Sequence, residues 1–385
     1  MGELSELTQE EIRRYLRHLV LPEIGVDGQR RLKAARVLVV GAGGLGSPVL
    51  MYLAAAGVGA IGIVDSDVVE FSNLQRQIVH DETSLGRPKA ESARDRLLDL
   101  NSKIEITPYE EVFSSSSAER IASGYDLIID GTDNFPTRYL INDVCLKLGI
   151  PFVYGAIFRM EGQVSVFCRP DGPCYRCVFP DPPPPDSVMT CVEAGVLGVV
   201  TGTIGTLQAT EAIKLILGLG NTLSGRLLIY DACEMRFESI LIDKNADCPV
   251  CRLDSAEVEL IDYRGFCGVP IEDPEADLPP EARITPAELK CLLDADRPIR
   301  ILDVRHPIEW EIVHLEGATL VPRDRLSAEI ETIGRDEEIV VVCRSGLRSA
   351  HVVAGLRESG FERARNLTGG ILAWVEEIEP QLPTY

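Results

Sequence analysis

The sequence predicts an α/β fold in two domains, a larger one followed by a smaller one. The chain has 385 residues, which is more than one compact core usually contains. Apolar strand patterns alternate with helical patterns in both halves, and an acidic stretch with four prolines separates them. That stretch has the composition of a linker. We therefore expect a first domain over residues 1–254, a linker over 255–282 and a second domain over 283–385.

Capping patterns and hydrophobic periodicity predict the elements of the first domain. Residues 8–34 are expected to be helical, because Thr8 and Glu11 form a capping-box pattern and apolar residues follow at helical spacing. From residue 36 onwards strands alternate with helices, which is typical of βαβ units on a parallel sheet. The predicted strands cover 37–40, 61–64 and 127–129, and the predicted helices cover 48–56 and 89–100.

The composition is that of a globular protein and restricts its partners. Acidic residues outnumber basic ones by 60 to 38, so the formal net charge is −22. A chain this acidic repels phosphate backbones, and we expect no direct binding to nucleic acid. The N-terminus does not resemble a signal peptide, and no uninterrupted apolar run is long enough to cross a bilayer. Eleven cysteines are dilute in a chain of this length, so we expect a cytoplasmic protein without membrane association.

A glycine-rich loop, Gly41-Ala-Gly43-Gly44-Leu-Gly46, follows the first strand and opens a helix. Its glycines permit a tight turn and a close approach of the backbone to a diphosphate, which then rests on the helix N-terminus. Asp65 ends the next strand, where its carboxylate can accept hydrogen bonds from ribose hydroxyls. The loop predicts a nucleotide site, but by itself it describes a nicotinamide or flavin enzyme equally well.

Polar residues after successive elements indicate which nucleotide is bound. Arg76, Lys89, Asp133 and Asn134 supply two cations, a carboxylate and an amide. A site that cleaves ATP between its α- and β-phosphates needs cations for the developing charge and a carboxylate for magnesium, whereas hydride transfer has little need of either. The sequence therefore favours ATP. The alternatives are that Arg76 and Lys89 are solvated surface charges and that Asp133 is a helix cap.

Residues 12–251 resemble the ubiquitin-activating-like adenylyltransferases that serve molybdopterin and thiamine biosynthesis. The motifs that carry the resemblance are the glycine loop, Arg14-Tyr-x-Arg17, Ser-Asn-Leu-Gln-Arg-Gln from Ser72, Lys89, Thr-Asp-Asn from Thr132, and Cys174-Tyr-Arg-Cys177. The resemblance implies a Rossmann-like adenylation domain in a homodimer, in which Arg17 reaches the phosphates bound by the partner subunit. It implies catalytic roles for Arg17, Arg76, Lys89 and Asp133, with Asp133 holding magnesium. It further implies that ATP is bound by Gly41, Gly43, Gly44, Gly46, Asp65, Asp67, Ser72, Asn73, Leu74, Gln75, Arg76, Lys89, Asp133 and Asn134.

Two Cys-x-x-Cys pairs, Cys174/Cys177 and Cys248/Cys251, predict a metal site formed by two distant segments. Four thiolates complete a tetrahedral zinc and leave no position for a substrate, so the site is expected to be structural. An iron–sulfur cluster is chemically possible, and four unrelated core cysteines are the alternative; the resemblance favours zinc. We interpret the remaining cysteines as packing residues, because they show no partner spacing; they are Cys145, Cys168, Cys233, Cys267 and Cys291.

Cys191 follows a proline-rich segment that is expected to be extended and exposed. In the resembling family, a cysteine at this position can form a thioester or a disulfide with the activated carrier. A buried, inert thiol is the alternative.

The second domain begins with a shorter α/β pattern and contains a third cysteine loop. Helices are predicted over 286–293 and 349–359, and strands over 300–304 and 339–342. The second of these strands ends at Cys343, where loop N–H groups, a helix N-terminus and two arginines favour a thiolate and any anion bound to it. The sulfur loop is Cys343, Arg344, Ser345, Gly346, Leu347, Arg348 and Ser349.

Residues 283–378 resemble the rhodanese-type sulfurtransferases. The likeness rests on the sulfur loop, Leu302-Asp-Val-Arg-x-x-x-Glu-Trp310, His314-x-x-Gly-Ala318 and Gly369-Gly-x-x-x-Trp374. Related phosphatases have one more residue between the cysteine and the arginine, so the spacing here indicates sulfane sulfur rather than phosphate. We interpret Asp303, Trp310 and His314 as structural supports of the loop.

The two domains together resemble the adenylyltransferase–sulfurtransferases that load sulfur onto small ubiquitin-like carriers. The resemblance implies that ATP adenylates the carrier's C-terminal Gly-Gly carboxylate. Cys343 then takes sulfur from thiosulfate or a cysteine desulfurase as a persulfide and delivers it to give a thiocarboxylate. Molybdenum cofactor synthesis fits this chemistry, as do thiamine synthesis and tRNA thiolation.

Two alternatives stay open: an activating enzyme for protein conjugation that works through Cys191, and an adenylyltransferase whose second domain only binds a partner. Arg76, Lys89 and Asp133 disfavour a nicotinamide oxidoreductase.

Overall fold

In the computed structural model, which describes residues 5–184, 194–268, 274–322 and 325–384, the chain divides into two units. The first unit comprises residues 1–269 and the second residues 270–385. Both are α/β units, which confirms the predicted fold class. Over the described ranges, the helices include none that is long and apolar enough to span a membrane.

The first unit contains one eight-stranded sheet in the order β3-β2-β1-β4-β5-β6-β7-β8. The first five strands pair in parallel, as predicted, and the last three pair antiparallel, which the sequence did not predict. The strands are β1 (Arg36–Val40), β2 (Ala60–Val64), β3 (Glu105–Tyr109), β4 (Leu127–Asp130), β5 (Phe152–Phe158), β6 (Glu161–Phe167), β7 (Arg226–Asp231) and β8 (Arg236–Leu241).

Helices cover both faces of the parallel part of this sheet. The described helices are α1 (Gln9–Arg14), α2 (Leu16–Leu19), α3 (Gly25–Ala34), α4 (Gly46–Ala56), α5 (Lys89–Leu100), α6 (Ala118–Ala122), α7 (Phe135–Leu148), α8 (Tyr175–Val178), α9 (Gly198–Leu217) and α10 (Tyr263–Phe266). Side chains of β1 alternate between two cores: Val37 and Val39 join one cluster, and Leu38 and Val40 join the other. Burial on both faces explains why the parallel strands are continuous apolar runs.

The N-terminal helical region is divided rather than continuous. The predicted capping box is confirmed, since Thr8 Oγ1 accepts from the Glu11 N–H at 3.2 Å and the Thr8 N–H donates to Glu11 Oε2 at 2.7 Å. However, α1 ends at Arg14, because the next residue, Tyr15, has a non-helical ψ of 15°. The second break contains Pro22, which lacks an N–H donor for a helix interior.

The second unit contains a five-stranded parallel sheet in the order β11-β10-β12-β13-β9. Its central strand is buried on both faces, because Ile339 and Val341 join one core cluster and Val340 and Val342 join the other. The strands are β9 (Arg283–Ile284), β10 (Arg300–Asp303), β11 (Thr319–Leu320), β12 (Ile339–Val342) and β13 (Ala364–Leu367). The helices are α11 (Pro286–Asp294), α12 (Pro307–Ile312), α13 (Leu326–Ile330), α14 (Leu347–Glu358) and α15 (Gly370–Glu377).

Much of the acidic segment predicted to be a flexible linker is packed. Tyr263 and Cys267 belong to a core cluster of the first unit, with Leu260 against it, and Leu278 belongs to a core cluster of the second. The acidic composition of residues 255–282 conceals these apolar residues, which supply enough burial to hold short helical turns on each unit. The domain boundaries of the sequence analysis stay a prediction, but described parts of the segment are folded.

Candidate functional site

The carboxyl ends of three parallel strands meet at one edge of the first sheet. Val40 at the end of β1 pairs in register with Val64 on β2 and with Asp130 on β4. Ligands of open α/β sheets bind at this edge, where the strand order reverses. The loops that follow the three strands line a cavity of about 700 Å³.

Most of the predicted nucleotide-binding residues line this cavity. They are Gly41, Gly43, Gly44, Asp65, Asp67, Asn73, Arg76, Lys89, Asp133 and Asn134. Five predicted residues are described but are not among those that line it: Arg17, Gly46, Ser72, Leu74 and Gln75.

Two glycines of the loop are required by backbone packing. Gly41 has φ of +96°, and a Cβ there would lie 2.7 Å from the Gly131 carbonyl oxygen. A Cβ on Gly46 would lie 1.9 Å from the carbonyl oxygen of Gly41. Gly46 therefore serves the close approach of α4 to the loop, while Gly43 and Gly44 face the cavity.

A carboxylate and a lysine lie on the loops after β2 and at the start of α5. Asp65 accepts hydrogen bonds from the N–H groups of Ala42 at 2.8 Å and Asp67 at 2.9 Å. Burial raises the pKa of Asp65, although both hydrogen bonds and the nearby Lys89 oppose that rise. Lys89 is only 6% exposed, and its Nζ lies 2.9 Å from Asp67 Oδ2. Lys89 is therefore a buried cation at the cavity and not a solvated surface charge.

Arg76 is held by the short turn that precedes it. Its guanidinium donates to the Ser72 carbonyl at 3.2 Å and to Asn73 Oδ1 at 3.0 Å. The same Asn73 oxygen accepts from Gln77 Nε2 at 3.0 Å. Asn73 thus orients both Arg76 and Gln77 toward one wall of the cavity.

Asn134, not Asp133, caps the helix that follows β4. The Asn134 side chain accepts from the Thr137 N–H at 3.0 Å, so the interpretation of Asp133 as the cap is wrong. Asp133 is exposed and lines the cavity. Asp133 can therefore offer the cavity a carboxylate oxygen, a donor that Mg²⁺ prefers.

Several cavity residues were missed by the sequence analysis. Gln77 stands at the end of the quoted Ser-Asn-Leu-Gln-Arg-Gln motif and could have been included with it. The other missed residues come from loops and from elements far along the chain, which no local pattern connects to the glycine loop. Examples are Phe113, Ile157, Val196 and Thr201, whereas Thr132 stands in the quoted Thr-Asp-Asn motif.

Of the predicted catalytic residues, Arg17 does not line the cavity and Cys191 cannot be placed. Arg17 is exposed on α2 and does not line the cavity. Its predicted action across a dimer stays a prediction. Cys191 lies outside the described residues, as do all of residues 185–193.

The four paired cysteines converge in the first unit. Their sulfur atoms all lie within 4.8 Å of one another. The Cys174–Cys177, Cys174–Cys248 and Cys177–Cys251 sulfur pairs are 3.7, 3.6 and 3.5 Å apart. A tetrahedron of sulfurs about 2.3 Å from a central zinc has edges of about 3.8 Å. The cluster therefore fits one zinc ion in both ligand type and size.

The surroundings of the cysteine cluster disfavour the thiolate form of two of its cysteines. Burial and the neighbouring thiols raise the pKa of Cys174, and they raise the pKa of Cys251 to about 12. A bound dication favours the thiolates and offsets this effect.

Neighbouring side chains hold the Cys174/Cys177 half of the cluster in place. Arg176, between these two cysteines, donates to Asp143 on α7 at 3.0 and 2.8 Å. The Tyr263 hydroxyl also donates to Asp143 at 2.8 Å.

The sulfur loop of the second unit joins β12 to α14 and encloses its thiol. Cys343 is fully buried. Its Sγ accepts from the Gly346 N–H at 3.2 Å and from the Ser349 hydroxyl at 3.2 Å. Gly346 has φ of +92°, a conformation that favours glycine. The loop therefore directs donors at the sulfur, as the sequence predicts.

The surroundings of the sulfur loop include two buried or partly buried ion pairs. Arg348 forms an ion pair with Glu309 of α12. The negative charge of Glu309 therefore weakens the electrostatic effect of Arg348 on the thiol. Asp303 at the end of β10 is fully buried and accepts from Arg305 Nε at 2.8 Å. The rings of Trp310 and His314 are stacked, with centroids 4.1 Å apart.

Comparison with known families agrees with the two units. Residues 15–250 match the ThiF family, and residues 285–377 match the rhodanese-like domain. The E. coli protein MccB, in a crystal structure with SeMet MccA, has the same fold over part of the chain. The TM-score is 0.57 at 22% sequence identity, covering 64% of this chain and 76% of MccB.

Full-length relatives contain both parts. The "probable adenylyltransferase/sulfurtransferase MoeZ" of Mycobacterium tuberculosis is 48% identical, over 99% of this chain and 97% of the relative. The "adenylyltransferase and sulfurtransferase MOCS3" of Aedes aegypti is 44% identical, over 99% of this chain and 91% of the relative. The chain therefore belongs to the ThiF family and, with a rhodanese-like domain in the same chain, to its adenylyltransferase/sulfurtransferase members.

Proposed function

We propose that this enzyme adenylates the C-terminal Gly-Gly carboxylate of a small ubiquitin-like carrier and then converts that carboxylate to a thiocarboxylate. One observation carries the proposal: the glycine loop, Arg76, Lys89 and Asp133 line a single cavity at the carboxyl edge of the sheet. That set supplies phosphate donors, two cations and a magnesium ligand, which is what cleavage of ATP at the α-phosphate requires.

In the first step, a carboxylate oxygen of the carrier attacks the α-phosphorus of ATP. The bond from that phosphorus to the bridging oxygen breaks, which releases pyrophosphate and leaves an acyl-adenylate. Lys89 and Arg76 stabilise the charge that develops on the phosphates, and Lys89 exchanges its contact with Asp67 for a phosphate oxygen. Asp133 would hold a magnesium ion, which would neutralise further negative charge on the phosphates. Asp65 binds the ribose hydroxyls with the lone pairs that Ala42 and Asp67 leave available.

In the second step, Cys343 carries sulfur. The Cys343 thiolate attacks the sulfane sulfur of thiosulfate and releases sulfite, or it takes the sulfur from a cysteine desulfurase persulfide. The Gly346 N–H and the Ser349 hydroxyl, each 3.2 Å from Sγ, stabilise the anionic sulfur. The terminal sulfur of the Cys343 persulfide then attacks the acyl carbon and displaces AMP. A thiol reductant cleaves the resulting acyl disulfide, which frees the thiocarboxylate and regenerates Cys343.

The remaining predicted features have supporting roles in this proposal. Zinc, bound by Cys174, Cys177, Cys248 and Cys251, ties two distant segments of the first unit together. The enzyme acts as a cytoplasmic homodimer, in which Arg17 of each subunit assists at the partner's nucleotide site. Its exposed position on α2 leaves Arg17 available for that contact.

The test is to incubate the protein with MgATP, thiosulfate, a thiol reductant and several Gly-Gly-ended carriers, and to measure the intact mass of each carrier. Replacement of one oxygen by sulfur in one carrier supports the proposal and identifies the carrier. A carrier that is adenylated but never gains sulfur, both with thiosulfate and with a cysteine desulfurase supplied as the donor in a parallel incubation, contradicts the second step.

The second candidate is an activating enzyme for protein conjugation that works through Cys191. It predicts that Cys191→Ala abolishes carrier transfer and that Cys343→Ala has no effect. The loop donors directed at the Cys343 sulfur favour the sulfur-transfer proposal.

A further inference from the structure

His80 connects the glycine loop to the helix that begins with Lys89. The His80 side chain is buried at 6% exposure. Its Nε2 lies 3.0 Å from the carbonyl oxygen of Ala42 in the glycine loop. Its Nδ1 lies 2.9 Å from the hydroxyl of Ser92 on α5, whose first residue is Lys89. His80 is not among the residues that line the cavity, so it acts on the site only through these neighbours.

These partners determine the tautomer of His80. A carbonyl oxygen can only accept a hydrogen bond, so Nε2 carries the proton. In a neutral ring Nδ1 is then an acceptor, and the Ser92 hydroxyl donates to it. Burial lowers the pKa of His80 to about 4. The ring is therefore neutral at pH 7 and has both nitrogens satisfied.

The contact with His80 fixes the direction of one peptide group in the glycine loop. The C=O and N–H of a trans peptide point in opposite directions. An Ala42 carbonyl directed at His80 therefore turns the Gly43 N–H away from His80, and Gly43 lines the cavity. The preceding peptide is fixed as well, because the Ala42 N–H donates to Asp65 at 2.8 Å. Loop N–H groups of this kind bind phosphate oxygens.

We propose that His80, as the Nε2–H tautomer, is a positioning residue for the nucleotide: it holds the Ala42–Gly43 peptide with its N–H toward the phosphates of ATP. This inference rests on the proposed ATP-dependent function and adds a residue that does not touch the nucleotide. Ser92 has a part in it, because its hydroxyl donates to Nδ1 and holds the ring against the Ala42 carbonyl.

Two substitutions of His80 test the hydrogen bond to the Ala42 carbonyl: one keeps a donor for that carbonyl and the other removes it. His80→Gln places an amide N–H near the position of Nε2 and keeps a donor for the Ala42 carbonyl. His80→Asn keeps a polar group near the position of Nδ1 and leaves that buried carbonyl without its donor. A matched control is Ser165→Ala on β6. Ser165 is also buried and donates to the Arg226 carbonyl at 2.8 Å, but it does not line the cavity.

The measurements are the equilibrium affinity for MgATP without carrier, and the KM for ATP and kcat of pyrophosphate exchange with carrier. His80→Asn weakens MgATP binding and raises the KM about tenfold, which corresponds to about 1.4 kcal/mol, and it lowers kcat less. His80→Gln recovers most of that affinity. Ser165→Ala lowers the melting temperature without changing the affinity. Ser92→Ala, which keeps the imidazole, weakens binding about threefold because Nδ1 loses its hydrogen-bond partner and the ring is held less firmly against the Ala42 carbonyl.

Unchanged MgATP affinity in His80→Asn overturns the proposal, as does an equal loss in His80→Asn and His80→Gln. If the His80 variants do not fold, Ser92→Ala decides, and unchanged affinity there overturns the proposal. MgATP binding requires no carrier. An absence of pyrophosphate exchange in the unsubstituted enzyme therefore contradicts adenylation alone and leaves the result on His80 standing.

Discussion

Arg348, in the first turn of α14, donates two hydrogen bonds to the Glu309 carboxylate of α12, at 3.0 and 2.7 Å. The pair ties the helix that opens at the sulfur loop to a helix on a different connection of the same unit. Ser349, the next residue after Arg348, donates to the Cys343 sulfur. The orientation of the thiol therefore depends on an ion pair between the sulfur loop and Glu309, which lies outside the loop.

Glu309→Gln is expected to slow persulfide formation at Cys343 about tenfold. An amide oxygen replaces only one of the two charge-assisted hydrogen bonds, each of which contributes about 1.5–3 kcal/mol. The rate can be followed by mass spectrometry of the protein after thiosulfate is added. Glu311→Gln, an exposed acid on the same helix, is the control. Equal rates in the two variants would show that the pair does not position the loop.

The cysteine cluster is expected to bind about one zinc per chain. In Cys248→Ser the zinc content falls to near zero, and the melting temperature of the first unit falls by more than about 5 °C, because binding of a structural metal is coupled to folding. Metal analysis of the purified protein and calorimetry measure both. Cys233→Ser, at an exposed cysteine, leaves both unchanged. Full zinc content in the Cys248 variant would contradict the assignment of the ligands.

Tyr263→Phe is expected to lower the free energy of unfolding of the first unit by about 1.5–3 kcal/mol. The substitution removes the hydrogen bond from the Tyr263 hydroxyl to the buried carboxylate of Asp143, and bonds to charged groups contribute about that much. Urea unfolding measures the difference. Tyr52→Phe serves as the control, since that side chain is 56% exposed. If the Tyr263 variant is as stable as the Tyr52 control, the hydrogen bond to Asp143 does not hold residues 255–268 on the first unit.

The stability of the first unit is expected to decrease between pH 6.5 and pH 4 because of His80. Its pKa is about 4 in the fold and 6.5 in its ordinary state, so the unfolded chain binds a proton in this interval and the folded chain does not. Lys89 lowers this pKa and Asp81 raises it, but burial has the larger effect. The loss reaches up to about 3 kcal/mol. Urea unfolding of the unsubstituted protein and of His80→Gln should diverge as the pH falls, and parallel curves would contradict the pKa assigned to His80.

The sequence predicts those parts of the fold and site that depend on local pattern. Parallel strands are recognisable because both faces are buried, which makes β1 and β12 continuous apolar runs. The glycine loop, Asp65 and Asp133 are predictable because each follows a strand, and parallel strands end at the same edge. The Cys-x-x-Cys spacing of the four paired cysteines identifies them without any knowledge of the fold.

The rest of the fold and of the site depends on contacts between residues that are far apart in the sequence, which no local pattern contains. The pairing of β5 to β8 is antiparallel, and the sequence analysis assigned no strands to that region. Tyr263 lies in an acidic stretch, but it joins a core cluster of the first unit and donates to Asp143, 120 residues earlier. Thr201 and Val196 reach the cavity from the region of α9, although nothing in their own sequence marks them as nucleotide-site residues.

The most direct test of the account is the intact mass of the Gly-Gly carrier after incubation with MgATP, thiosulfate and a thiol reductant, together with pyrophosphate exchange on the same samples. The unsubstituted enzyme and the exposed-cysteine control Cys291→Ala are expected to replace one carrier oxygen by sulfur. Cys343→Ala is expected to retain pyrophosphate exchange and to yield no thiocarboxylate. Thiocarboxylate formation by Cys343→Ala, or loss of pyrophosphate exchange together with loss of sulfur transfer, would contradict the division of labour between the two units.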